Sequence, residues 1–202
     1  MRAFDQLVEK YSNIFYVQIW EQKLKVTDAS TGRIYEDIPL VAIQTMANGR
    51  KEVSAIGSEA KMATGANILT VNPFSHPRVL FSDFTVAEKL LQHVFRLLNK
   101  GKLFTLNPTV VVHPMEKTEG GLTMIENRAF KELGTGAGAR EVFVYEGNPI
   151  PVQELSRSRL LASDEEPQSQ RGTENMTTTI VSLLLFVLVI MFMAFIGSQN
   201  GN

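Results

Sequence analysis

Three histidines, His76, His93 and His113, are the side chains here best suited to bind a metal or move a proton near neutral pH. Their spacing matches no ligand pattern such as His-Glu-x-x-His, so all three read as structural, His93 within a helix and His113 at a strand end. The serines lie in no Gly-x-Ser-x-Gly elbow, which removes the simplest route to acyl transfer. The chain has no cysteine, so disulfides and thiolate metal sites are excluded. Gly134–Gly138 (GTGAG) has the glycines of a phosphate loop but lacks Gly-x-x-x-x-Gly-Lys-Ser/Thr. It also follows a helix and precedes a strand, the reverse of a phosphate loop, and so reads as a helix C-cap and turn. Asp164-Glu165-Glu166 reads as solvated linker. With a net charge of −1, a pI near 6.3 and no basic run to neutralise phosphates, the chain is not expected to bind nucleic acid.

The elements that would position such residues are legible from residue 14 onward. Ile14–Ile19 and Leu24–Asp28 read as strands joined through Trp20–Lys23, with a turn at Ser30–Gly32. Ile34–Gln44 and Glu52–Ile56 read as further strands, separated by Ala47-Asn48-Gly49. Ser58–Thr64 reads as a short helix stopped by Gly65, and Asn67–Ser75 as extended or loop. The strongest helical pattern is Phe84–Lys100: Asp83 is a plausible N-cap, Thr85 and Glu88 have capping-box spacing, and Gly101 stands where a left-handed terminator belongs. Its apolar stripe is Val86, Leu90, Val94 and Leu97, widened by Leu91, Phe95 and Leu98. Thr109–Val112 suits a strand buried on both faces, a second helix covers about Leu122–Leu133, and Glu141–Tyr145 is the next strand. Helix–strand alternation predicts an α/β domain, a sheet covered by helices.

Composition changes on either side of that domain, which spans residues 13–151. Residues 1–12 carry Phe4, Leu7, Val8 and Tyr11 at helical spacing, an arm that either packs on the domain or lies on a membrane surface. Residues 152–176 are poor in large apolar side chains and read as a flexible linker, with room for a short helix at about Val152–Leu161. Ile180–Ile196 is uncharged and carries one hydroxyl, Ser182. With its flanks, residues 177–197, it makes a helix of about 31 Å at 1.5 Å per residue, close to the roughly 30 Å of bilayer hydrocarbon. A single transmembrane helix is expected there, followed by a short tail, 198–202. Arg157, Arg159 and Arg171 precede the run and no Lys or Arg follows it, which places the domain on the cytoplasmic side of the cytoplasmic membrane.

Three blocks carry a likeness to a known family. They are Pro39–Ile43 with Ala55–Lys61 after it, Asp83–His93 (DFTVAEKLLQH), and Gly136–Phe143 (GAGAREVF). In order and spacing the chain over about residues 14–146 resembles the first half of MreB, the bacterial rod-shape-determining actin homologue. The resemblance implies an actin-like, ribonuclease-H-like subdomain with a mixed sheet and flanking helices. It also implies a nucleotide site, and here the chain departs from the family. The family's first hairpin carries an Asp-Leu-Gly-Thr-Ala-Asn-Thr loop whose acidic residue works through a metal and whose small residues let backbone N–H groups approach phosphates. Gln18-Ile19-Trp20-Glu21-Gln22-Lys23-Leu24 stands in register: Gln18 replaces the Asp, Trp20 the Gly, Glu21 adds a like charge and Lys23 supplies no cradle. Glu126 falls where the family has a water-orienting carboxylate, and reads here as an exposed charge on an amphipathic helix. Met115–Leu122 is longer than the family's loop, and Tyr145–Pro151, with Gly147 and two prolines, interrupts the family's crossing helix.

The expectation is therefore a chain with no enzymatic activity and no cofactor. It would be a membrane-tethered adaptor or scaffold acting through protein–protein contact with an MreB-type filament or a cell-envelope complex, by way of its exposed sheet edge and the faces that the family's second half would cover. The alternative is a half-site ATPase completed by a partner chain that supplies the second actin-like domain.

Overall fold

The structure is a computed structural model that describes residues 13–101 and 107–155. The N-terminal arm, the linker beyond Leu155, the expected membrane span and the tail lie outside the described residues. Among the described residues no helix is long and apolar enough to cross a membrane.

The described chain runs β1 (Ile14–Ile19), β2 (Leu24–Asp28), β3 (Ile34–Asp37), β4 (Val41–Thr45), β5 (Lys51–Ile56), α1 (Gly57–Met62), β6 (Ile68–Val71), α2 (Phe84–Asn99), β7 (Thr109–Pro114), α3 (Met124–Gly136), β8 (Glu141–Val144) and a 3₁₀ turn, Val152–Glu154. A five-stranded sheet has the order β3-β2-β1-β7-β8, and a three-stranded sheet the order β5-β4-β6. The larger sheet is mixed: β1 pairs antiparallel with β2 and parallel with β7, which in turn pairs parallel with β8. The expected mixed sheet with flanking helices is present.

β1 and β7 are buried along their whole length, as expected for the apolar run Thr109–Val112 in β7. Their alternate side chains feed two cores. Phe15, Val17, Ile19, Val110 and Val112 face α2 and α3 and meet Leu90, Leu91, Val94, Phe130 and Leu133. Ile14, Tyr16, Val111 and Phe143 face the other way and are covered by Tyr145, Ile150, Val152 and Leu155. The period-2 geometry of a strand makes this partition unavoidable once both faces are covered.

Four local expectations need correction. Ile34–Gln44 is not one strand: Ile38-Pro39-Leu40 separates β3 from β4, and the chain there leaves one sheet for the other. Pro39 lacks the N–H that a continuing ladder would need. Leu97 is half exposed and lies off the buried stripe of α2, which Ala87 and Leu98 complete. Asp83 caps α2 by accepting from the Val86 N–H at 3.0 Å, so Thr85 and Glu88 lie inside the helix, and Glu88 accepts from Gln92 Nε2 instead. Finally, α3 runs on through Gly136, so three residues of Gly134–Gly138 are helical.

Candidate functional site

The first hairpin turns tightly, with the Trp20 N–H donating to the Lys23 carbonyl at 2.8 Å. The Lys23 ammonium lies 4.0 Å from the Trp20 ring centroid, a cation–π contact that folds the indole over its own turn. Lys23 and Lys25 both reach toward Glu36 on β3, at 4.0 and 3.3 Å. Gln18 is buried, sits opposite His113 and Lys25 in the ladders, and points Nε2 at the Met115 sulfur, 3.8 Å away. An amide is tolerated there with so weak a partner, whereas a buried carboxylate would need a cation or several donors.

Glu21 is the centre of the arrangement. Its N–H donates to Glu116 Oε2 at 2.8 Å, its carbonyl accepts from Asn72 Nδ2 at 2.8 Å, and its carboxylate accepts from Lys117 Nζ at 2.7 Å. The Lys117 ammonium also donates to the His76 carbonyl at 2.5 Å. The hydrogen bond from Lys117, reinforced by its charge, holds the Glu21 carboxyl below the usual carboxylate range. Lys117 is the one non-glycine among the described residues with positive φ, at 58°. A left-handed lysine costs conformational energy, so the surrounding bonds must fix it there.

These groups do not fit nucleotide phosphates. A phosphate cradle needs free, convergent backbone N–H groups and a positive field. Here the turn's N–H groups at Trp20 and Glu21 are taken by the Lys23 carbonyl and the Glu116 carboxylate, Lys117 is shared between Glu21 and His76, and the cluster holds two carboxylates, Glu21 and Glu116. Glu116, Lys117 and Asn72 were missed in the sequence. The one signal was the extra length of Met115–Leu122, which carries two of them.

Glu126 occupies the third helical position of α3. Its carboxylate accepts from Thr123 N and Oγ1 at 2.8 and 2.7 Å, while the Glu126 N–H donates to Thr123 Oγ1 at 3.2 Å, a complete capping box. It is therefore a partly buried helix cap rather than a free surface charge. Gly134–Gly138 closes the other end of α3. The Gly138 and Ala139 N–H groups return to the Thr135 and Gly134 carbonyls, with Gly138 at φ +104°, the bonding of a Schellman motif. Its donors are spent on the helix, as the C-cap reading requires.

The histidines do not converge. The His76 imidazole accepts from Arg78 N at 3.2 Å, and His93 lies over the Lys89 carbonyl on α2. His113 is buried among Tyr16, Tyr145 and Gly147. Among the described residues no group of three His, Asp or Glu side chains is placed to hold a metal.

A mixed sheet with helices on one face, a second small sheet inserted after β3, and a first hairpin facing the loop beyond β7 define an actin-like α/β fold. The crystal structure of MreB5 of Spiroplasma citri bound to ADP superposes with a TM-score of 0.51 at 22% identity, covering 68% of this chain and 39% of that one. Residues 22–150 match the MreB/Mbl protein family, and the chain belongs to that family. The cell shape-determining protein MreB of Escherichia coli K12 is 30% identical over 162 residues, 75% of this chain and 45% of that protein. The MreB of Haemophilus influenzae is 29% identical over 147 residues, 71% and 40% respectively. The chain thus spans less than half the length of these relatives.

Proposed function

We propose that this chain is a non-catalytic, membrane-tethered member of the MreB/Mbl family. It acts by protein–protein contact with an MreB-type filament or an envelope complex, in the service of cell shape. The observation that carries the reading is the bond from the Glu21 N–H to the Glu116 carboxylate, beside Trp20. Where a nucleotide-binding relative would offer donors to a phosphate, this chain has filled the place with its own carboxylate. The tether is the apolar run Ile180–Ile196, and the basic residues before it argue for a domain on the cytoplasmic side. Confinement to a membrane raises the effective concentration of a weak contact partner, so an adaptor needs no high intrinsic affinity. The relatives' name, cell shape-determining protein, is the ground for the process.

The half-site ATPase gains no support from the geometry, since Glu126 is bound into the cap of α3. Isothermal titration of the full-length chain with ATP and magnesium tests the reading. No heat of binding is expected, and tight binding weakened by a Glu116 or Gln18 substitution would sink it. Crosslinking in intact membranes should capture an MreB-type or envelope protein, and capture of neither would remove the adaptor role.

A further inference from the structure

The three-stranded sheet is joined to the rest of the described domain by two chain passages, residues 38–40 after β3 and residues 72–83 after β6. Each passage is pinned by charge. At the first, Asp37 ends β3 and accepts from its neighbour Ile38 N at 2.7 Å. Across the joint it accepts from Ser58 N at 2.9 Å and Ser58 Oγ at 2.5 Å, at the start of α1. Burial opposes ionisation of Asp37, but these bonds outweigh it and hold the carboxyl below its ordinary value. Gly57, at φ +66°, lies so close that a Cβ there would overlap the Asp37 carboxylate. At the second passage, Asn72 and the His76 carbonyl are tied to Glu21 and Lys117, residues of the larger sheet's hairpin and of the loop after β7.

Apolar packing of Val41, Ile56 and Val71 on the main core gives cohesion between the sheets, yet it is non-directional and tolerates sliding. Directional, charge-assisted bonds at both crossings do not. We infer that the Asp37–Ser58 and Glu21–Lys117–Asn72 clasps lock the smaller sheet against the larger one in a single arrangement in the ligand-free chain. The inference deepens the adaptor reading and rests on it: a chain that works by contact alone presents one surface at all times. The strained φ of Lys117 is the cost of the second clasp.

Hydrogen exchange of the full-length chain in detergent micelles, read by mass spectrometry, tests this. Lys117→Met should speed exchange several-fold over residues 19–23 and 72–76, and Asp37→Asn over residues 56–60, with Lys117→Arg close to wild type. If Lys117→Met unfolds the chain by circular dichroism, Glu21→Gln serves in its place. Exchange unchanged in both clasp variants would overturn the inference. ATP with magnesium should leave wild-type exchange as it was. Slowing at residues 19–23 would refute the adaptor reading alone, because the clasp variants are compared without nucleotide.

Discussion

The hydroxyl of Tyr16 lies 2.6 Å from Nδ1 of His113, joining β1 to β7 on the sheet face away from α2 and α3. His113 Nε2 faces the Gly147 carbonyl at 3.1 Å, which can only accept, so the proton is assigned to Nε2 and Nδ1 accepts from Tyr16. Tyr16 in turn accepts from the Ile150 N–H at 3.2 Å. One relay therefore fastens the segment after β8 to the sheet.

Burial pushes the His113 pKa down, with the Gly147 bond opposing, so the folded value lies below the unfolded one. The neutral ring contributes its full stability above the unfolded value of about 6.5, and that contribution is lost as pH falls from there toward the folded value. Thermal melts across about pH 7 to 5 should show a falling Tm that His113→Asn flattens. Tyr16→Phe should cost about 1–3 kcal/mol by leaving the ring nitrogen and the Ile150 N–H unpaired, and a loss near zero would show that the relay is ornamental.

Gly134 is held against β8, where a Cβ would come within 2.8 Å of both Val142 methyl groups. Branched Val142 has little freedom to withdraw, and it packs against the main core. Gly134→Ala should therefore destabilise by about 1–3 kcal/mol despite the better helix propensity of alanine. Denaturant midpoints decide this, and a stabilised variant would mean that β8 yields freely.

Thr123→Ala removes the capping hydroxyl of α3 and should cost about 0.5–2 kcal/mol. Glu126→Gln keeps part of the reciprocal bond and should cost less. Neither change should alter nucleotide titration, whereas a catalytic Glu126 would show itself as turnover lost in Glu126→Gln.

Restoring the family residues in the first hairpin, Gln18→Asp with Trp20→Gly, should not restore nucleotide binding. Glu116 would still hold the Glu21 N–H and Lys117 would still be committed to Glu21 and His76. Calorimetric binding by the double variant would show that the two sequence departures were the whole obstacle.

The sequence was most readable where one residue decides a local outcome. Asp83 ahead of an amphipathic run, Gly101 after it, and unbroken β-branched residues in Thr109–Val112 each settle their element without distant help. The pattern puts Glu126 on a helix, but an expected start at Leu122 rather than Met124 leaves Thr123 inside that helix and hides its capping box with Glu126. Pro39 was in view, but nothing local says that the chain changes sheets there. Glu116 and Lys117 were illegible for a different reason. Their partners Glu21 and His76 are 41 to 96 residues away, and no periodicity encodes a meeting of three loops. Trp20 is visible in the sequence, but the Glu21–Glu116–Lys117 cluster beside it depends on tertiary contact.

The placement of β1 between an antiparallel neighbour and a parallel one has a consequence for synthesis. The β1–β2 hairpin can zip as soon as it leaves the ribosome, since its strands are sequence neighbours. The opposite edge of β1 must wait for β7, and Tyr16 meets His113 only 97 residues later. Over that interval a mostly apolar strand stands with the hydrogen-bonding groups of that edge open, a template for any passing strand. Chaperone demand during translation should therefore peak before residue 114 emerges and fall once β7 has docked.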